Sequence, residues 1–79
     1  MKITNNVPQA LMKDIEKCYE GAGTYNIDFN SDMGSDSTQL YGESLDDMQE
    51  VVVGFLQENK VSLESVTDFT MERIYSENI

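Results

Sequence analysis

The sequence predicts a small single domain of the α+β class, in the order α-β-β-α-β, with two helices covering one face of a three-stranded sheet. Three patterns predict it. Apolar residues recur at three- and four-residue spacing over residues 11–19, alternate strictly with polar ones over 24–30, and return to helical spacing over 45–56. The 79 residues make one domain, 1–79. A chain this short buries a modest share of its surface, so its stability margin is thin.

In the first helix, Leu11, Ile15, Cys18 and Tyr19 form one stripe, and Lys13, Asp14, Glu16 and Lys17 fill the other side. Asn6 is the predicted N-cap and Pro8 sits near the first turn, where a missing N–H costs nothing. Gly21 and Gly23 end the helix. Residues 24–30 follow as a half-buried strand with Tyr25, Ile27 and Phe29 on the core side. Residues 31–37 read as a polar loop containing Gly34, and 38–42 as a shorter strand with Leu40 inward, together a hairpin with a long connection. Ser44 and Asp47 resemble a capping box that opens the second helix, and Asp46 and Asp47 suit its positive end. Leu45, Met48, Val52, Phe55 and Leu56 are its buried stripe, with Val51 beside it. Gly54 inside that helix marks close packing against another element, and Asn59 is the C-cap. Residues 66–75 are rich in β-branched and aromatic side chains, and Phe69 and Met71 alternate with polar neighbours. They read as a third strand, with a helix (α-β-β-α-α) as the alternative. If the strands flanking the second helix paired in parallel, that crossover would be right-handed.

Composition narrows the chemistry. Histidine, the commonest general base and a common metal ligand, does not occur. Cys18 is the only cysteine, lies on an apolar stripe and has no histidine partner, so it reads as a structural thiol. A lone cysteine, and no apolar targeting core in residues 1–6, fit a reducing cytoplasm. No Gly-rich phosphate loop, nucleophile elbow or paired-cysteine zinc pattern occurs. The expectation is a protein that is not an enzyme and uses no cofactor. Asp28, Asn30, Asp32 and Gly34 begin like a calcium loop. An EF-hand opening at Asp28 needs glycine where Met33 stands and glutamate where Gln39 stands, and one opening at Asp32 needs glycine at Ser37. The segment reads as turn chemistry, with no metal site.

Charge placement says more. Fifteen acidic residues face five basic ones, a formal net charge of −10. Direct binding to nucleic acid or anionic membrane needs clustered Lys and Arg, so this balance argues against both and favours a basic protein partner or none. No apolar run approaches the ~20 residues that span a bilayer. All the basic residues lie outside residues 18–59, a stretch that holds Glu20, Asp28, Asp32, Asp36, Glu43, Asp46, Asp47, Glu50 and Glu58. The candidate partner-binding residues are Asp28, Asp32, Asp36, Glu43, Asp46, Asp47 and Glu50, with Tyr25, Tyr41 and Met33 as apolar anchors. Charge steers encounter more than it holds a complex, so anchors are needed. If the hairpin loop and the start of the second helix converge, they form one negative face that imitates a row of phosphates. A solvated face with no partner is the alternative.

In size, acidity and lack of catalytic motifs the chain resembles small phage-encoded inhibitors of the anti-CRISPR and anti-restriction type. It is similar in the same general way to bacteriocin immunity proteins. The resemblance covers overall character, with no shared motif and no transferable site residues. It implies a stoichiometric inhibitor of a host nuclease complex, acting in the host cytoplasm by nucleic-acid mimicry. A small structural or adaptor protein, acting as a homodimer through a sheet face or edge, is the second expectation.

Overall fold

The structure is a computed structural model, and it describes residues 7–75. The elements run α1 (Gln9–Cys18), β1 (Gly23–Ser31), β2 (Gly34–Gly42), α2 (Leu45–Glu58), a 3-10 turn (Leu63–Ser65) and β3 (Thr67–Arg73). The α-β-β-α-β order stands, and the last element is a strand.

The sheet order is β2-β1-β3, antiparallel throughout. β2 and β3 therefore run parallel to each other but do not pair, because β1 lies between them. The expected direct parallel pair is not formed; α2 instead connects two parallel strands of one sheet across β1.

The central strand places Tyr25, Ile27 and Phe29 in the core, while Asn26 and Asp28 are exposed. Phe69 and Met71 of β3 join them from one side. α1 lies over β3 and contributes Leu11 and Ile15; α2 lies over β2 and contributes Met48, Val52 and Leu56. Burying each such side chain stabilises the fold by roughly 1.5–3 kcal/mol. Both helices share one core, so among the described residues nothing covers the other sheet face.

Local chemistry sets the ends of α1 differently from the sequence expectation. Asn6 lies outside the described residues, and Pro8 is the N-cap, with no side-chain cap bond. The helix stops at Cys18, before the glycines, because Tyr19 turns extended and stacks on Tyr25 with ring centroids 5.6 Å apart. The Tyr25 hydroxyl then closes the α1–β1 turn. It donates to the Gly21 carbonyl at 2.7 Å and accepts from the Glu20 N–H at 2.6 Å.

The hairpin connection is tight rather than long. β2 starts at Gly34, paired with Ser31, and only Asp32 and Met33 intervene. Positive φ falls on Gly34 (107°), the first residue of β2, rather than on either of those residues. Ser31 Oγ accepts from the Met33 N–H at 3.1 Å. The turn-forming residues are real, but those at 34–37 belong to an edge strand whose backbone is paired with β1.

The ends of α2 follow the sequence. Ser44 Oγ accepts from the Asp47 N–H at 3.1 Å, and Asp47 reaches back to accept from the Glu43 N–H at 2.9 Å, a variant of the capping box. At the other end Asn59 is the C-cap. Lys60 N–H bonds to Gln57 O at 3.1 Å and Val61 N–H to Leu56 O at 2.9 Å, a Schellman motif. Lys60 occupies its left-handed position at φ 61°, where glycine is usual.

Gly54 does not mark close packing: a Cβ there would meet nothing within 4 Å. The close approach is at Gly42, where a Cβ would lie 2.9 Å from the backbone Cα of Met48. These observations set three thermal-melt outcomes. Gly42→Ala destabilises by about 1–3 kcal/mol through overpacking. Gly54→Ala stabilises by about 0.5–1 kcal/mol through helix propensity. Lys60→Gly stabilises by up to ~1 kcal/mol by relieving the left-handed strain.

Candidate functional site

The register places the side chains of the open face in rows across the three strands. Tyr41, Thr24 and Ile74 form the row at the start of β1. Gln39, Asn26 and Glu72 follow, then Ser37, Asp28 and Thr70, and finally Ser35 and Asn30 with Asp68. The face grades from an apolar end, where Tyr41 and Ile74 are exposed, to a polar and acidic end near the hairpin turn.

Cross-strand bonds fix the polar end. Gln39 Nε2 donates to Asn26 Oδ1 at 3.0 Å, and Ser35 Oγ to Asn30 Oδ1 at 2.6 Å. Asn30 Nδ2 donates to Asp68 Oδ2 at 2.8 Å. The register between β1 and β3 shifts at this level, and Asp68 takes a left-handed conformation (φ 51°), which aspartate tolerates better than most residues. At that bulge the Asp68 carboxylate, on the open face, lies beside Asn30. Asp28, Asn30, Ser35, Ser37 and Asp68 then line a shallow concavity of about 480 Å³, with Asp36 on its rim.

Asp28, Asp68 and Glu72 make this face acidic, and no Lys or Arg among the described residues lies on it. Arg73 belongs to the opposite face, level with Tyr25, where its guanidinium donates to Ala22 O at 2.6 and 3.1 Å and packs on the Tyr75 ring.

The sequence-predicted acidic residues do not converge. The hairpin turn and the start of α2 fall at opposite ends of β2. Eight residue steps at ~3.4 Å separate them by about 27 Å. Asp32 and Asp36 are at the turn end; Glu43, Asp46 and Asp47 are at the other, so the single face joining loop and helix start is not formed. Several also have local partners. Asp32 accepts from Ser65 Oγ at 3.1 Å, tying the turn to the 3-10 segment. Asp36 accepts from the Ser37 N–H, and Asp47 caps α2. Glu50 is half-buried in α2. Tyr25 is corrected outright: it is wholly buried and cannot anchor a partner, because its place on β1 points it into the core. Tyr41 and Met33 are exposed, at opposite ends of β2.

Asp68 and Glu72 lay outside the sequence prediction, which followed the stretch free of basic residues and stopped at Lys60. Alternation around Phe69 and Met71 already turned Asp68, Thr70 and Glu72 away from the core. The bulge that aims Asp68 at Asn30 carries no sequence signal.

On the helix side, Tyr19 has the one buried side-chain polar atom without a hydrogen-bond partner among the described residues, its hydroxyl oxygen. Its pKa is raised above the ordinary 10.0, mainly by burial, with charge on Tyr25, Asp47 and Tyr41 adding and Arg73 opposing. Among the described residues no cluster of three or more His, Cys, Asp or Glu is arranged to hold a metal ion, and no helix is long and apolar enough to cross a membrane. No protein-family model, curated protein or solved structure matches this chain.

Because Tyr19 is harder to ionise in the folded state, the stability it contributes is fully present below the unfolded value near 10 and is lost as pH rises through the folded value. Tyr19→Phe should remove that part of the alkaline loss in pH-resolved denaturation. It should leave stability at neutral pH equal or higher, since the hydroxyl it deletes is unpaired.

Proposed function

We propose that this protein is a stoichiometric, non-catalytic inhibitor that covers the basic nucleic-acid-binding surface of a host defence nuclease complex, of the anti-CRISPR or anti-restriction type. The observation that supports the reading is the open sheet face: Asp28, Asp68 and Glu72 on it, Asp36 at its rim, and no Lys or Arg among its described residues.

The physical case has three parts. A net charge of −10 steers the chain toward a basic partner. Carboxylates on paired strands are held at fixed spacing, so meeting a Lys/Arg groove costs little side-chain ordering. The exposed Tyr41 and Ile74 at the apolar end supply contact area that charge alone does not. The acidic face thus shifts from the helix start, where the sequence placed half of it, to the sheet. If the gene is phage-borne, the site of action is the host cytoplasm.

Capture from host lysate on the immobilised protein, eluted in graded salt, tests the reading. The retained partner should be a nucleic-acid-binding protein that elutes between about 50 and 500 mM salt, and the free protein should displace its DNA or RNA. Retention indifferent to salt, or a partner that keeps its nucleic acid, would sink the proposal. Neutralising Asp28→Asn, Asp68→Asn and Glu72→Gln together should weaken the complex about tenfold or more, ~1.4 kcal/mol. Glu43→Gln with Asp46→Asn, at the far end of β2, should change it less than about threefold.

A further inference from the structure

We propose that the protein self-associates through the outer edge of β2, two copies pairing antiparallel into one six-stranded sheet with Thr38 on the two-fold axis. The proposal does not rest on the inhibitor reading.

The two sheet edges are built differently. β3 is short, its register with β1 shifts opposite Asp28–Asn30, and Asp68 stands in a left-handed conformation. A bulged, kinked edge is a poor template for another strand. β2 is the reverse. All nine residues, Gly34–Gly42, are in unbroken register with β1, with no proline, no lysine and no bulge. Among the described residues no strand lies on its other side. Its backbone there presents a straight row of N–H and C=O groups. One donor of that row, the Ser37 N–H, is capped at 2.9 Å by the carboxylate of its own neighbour, Asp36, a contact that pairing has to displace.

The sequence of β2 fits a second copy of itself. Centring the pair on Thr38 matches the full strand, with Gly34 opposite Gly42, Ser35 opposite Tyr41, Asp36 opposite Leu40 and Ser37 opposite Gln39. No like charges meet, and a Thr–Thr pair sits on the axis, a favourable cross-strand combination. Ser37 exchanges its Asp36 contact for a backbone bond to Gln39 of the partner copy. Tyr41, 52 % exposed, gains the other copy's Ser35 beside its ring. Against this stands the repulsion of two chains of net charge −10. Self-association therefore tightens as salt rises, the opposite of a complex with a basic partner.

Sedimentation of the full chain, from about 10 µM to about 1 mM and in about 50 and 500 mM salt, reads the outcome. The expected result is a monomer–dimer equilibrium at least several-fold tighter in high salt. Thr38→Lys and Thr38→Glu each set like charges face to face on the axis, so each alone weakens the dimer about tenfold or more, and their equimolar mixture restores it. A monomer under all conditions overturns the proposal, as does a dimer indifferent to either variant or a mixture no better than its parts. Should circular dichroism show either variant unfolded, Thr38→Cys in a Cys18→Ala background replaces them. Mild oxidation then links two copies at the axis, and failure to link overturns the pairing.

Discussion

The central strand is the constraint on which the fold depends. β1 is bonded on both sides, and its side chains alternate with period two. Tyr25, Ile27 and Phe29 are thereby committed to the helices, and Asn26 and Asp28 to the opposite face. A one-residue slip would invert both sets at once, so register is strongly specified. Tyr25 adds a second lock. Its ring is wholly buried, while its hydroxyl reaches the backbone of the preceding turn and fixes where α1 stops relative to β1. That turn would otherwise hold a part-buried amide and carbonyl with poorer partners.

A chain of 79 residues has apolar side chains for one core, and the structure spends them on one side of the sheet. The other side is polar over most of its length, with Tyr41 and Ile74 exposed at one end. Its organisation goes further than solubility requires, with Gln39–Asn26 and Ser35–Asn30–Asp68 forming bonds across all three strands. These bonds hold neutral donors among carboxylates, so among the described residues the face keeps its negative sign without a lysine or arginine. Arg73, the cation of β3, is engaged by the Ala22 carbonyl and the Tyr75 ring on the other side.

Much of the fold was legible in the sequence. Strict alternation at 25, 27 and 29, helical spacing in α1 and α2, the Ser44–Asp47 cap and the Asn59 end all appear where their residue types place them. β2 was only half legible. Ser35, Asp36 and Ser37 are turn-forming residues, and an edge strand with one open face needs no apolar alternation to hold it; pairing with β1 decides. The site was legible in sign but not in place. Counting charges along the chain finds Asp28 yet groups it with Glu43 and Asp46, which the length of β2 carries to the far end. Asp68 and Glu72 arrive from a strand distant in sequence, and adjacency across strands is not written in linear order. Tyr25 shows the reverse error: an aromatic beside acidic residues in sequence was assigned to the surface although its own alternation placed it inside.

The strand order has a consequence for the chain as it is made. β1 and β2 are adjacent in sequence and can pair as soon as both emerge, since closing a tight hairpin takes microseconds. β3 comes last and must find β1 across the whole of β2 and α2. Until it does, the strand that will be most protected in the finished molecule is an open edge, with Ile27 and Phe29 covered from one side at most. Unpaired edges of this kind draw nascent chains together. Through that interval the carboxylates already synthesised, with no basic residue between Lys17 and Lys60 to offset them, hold neighbouring chains apart by charge.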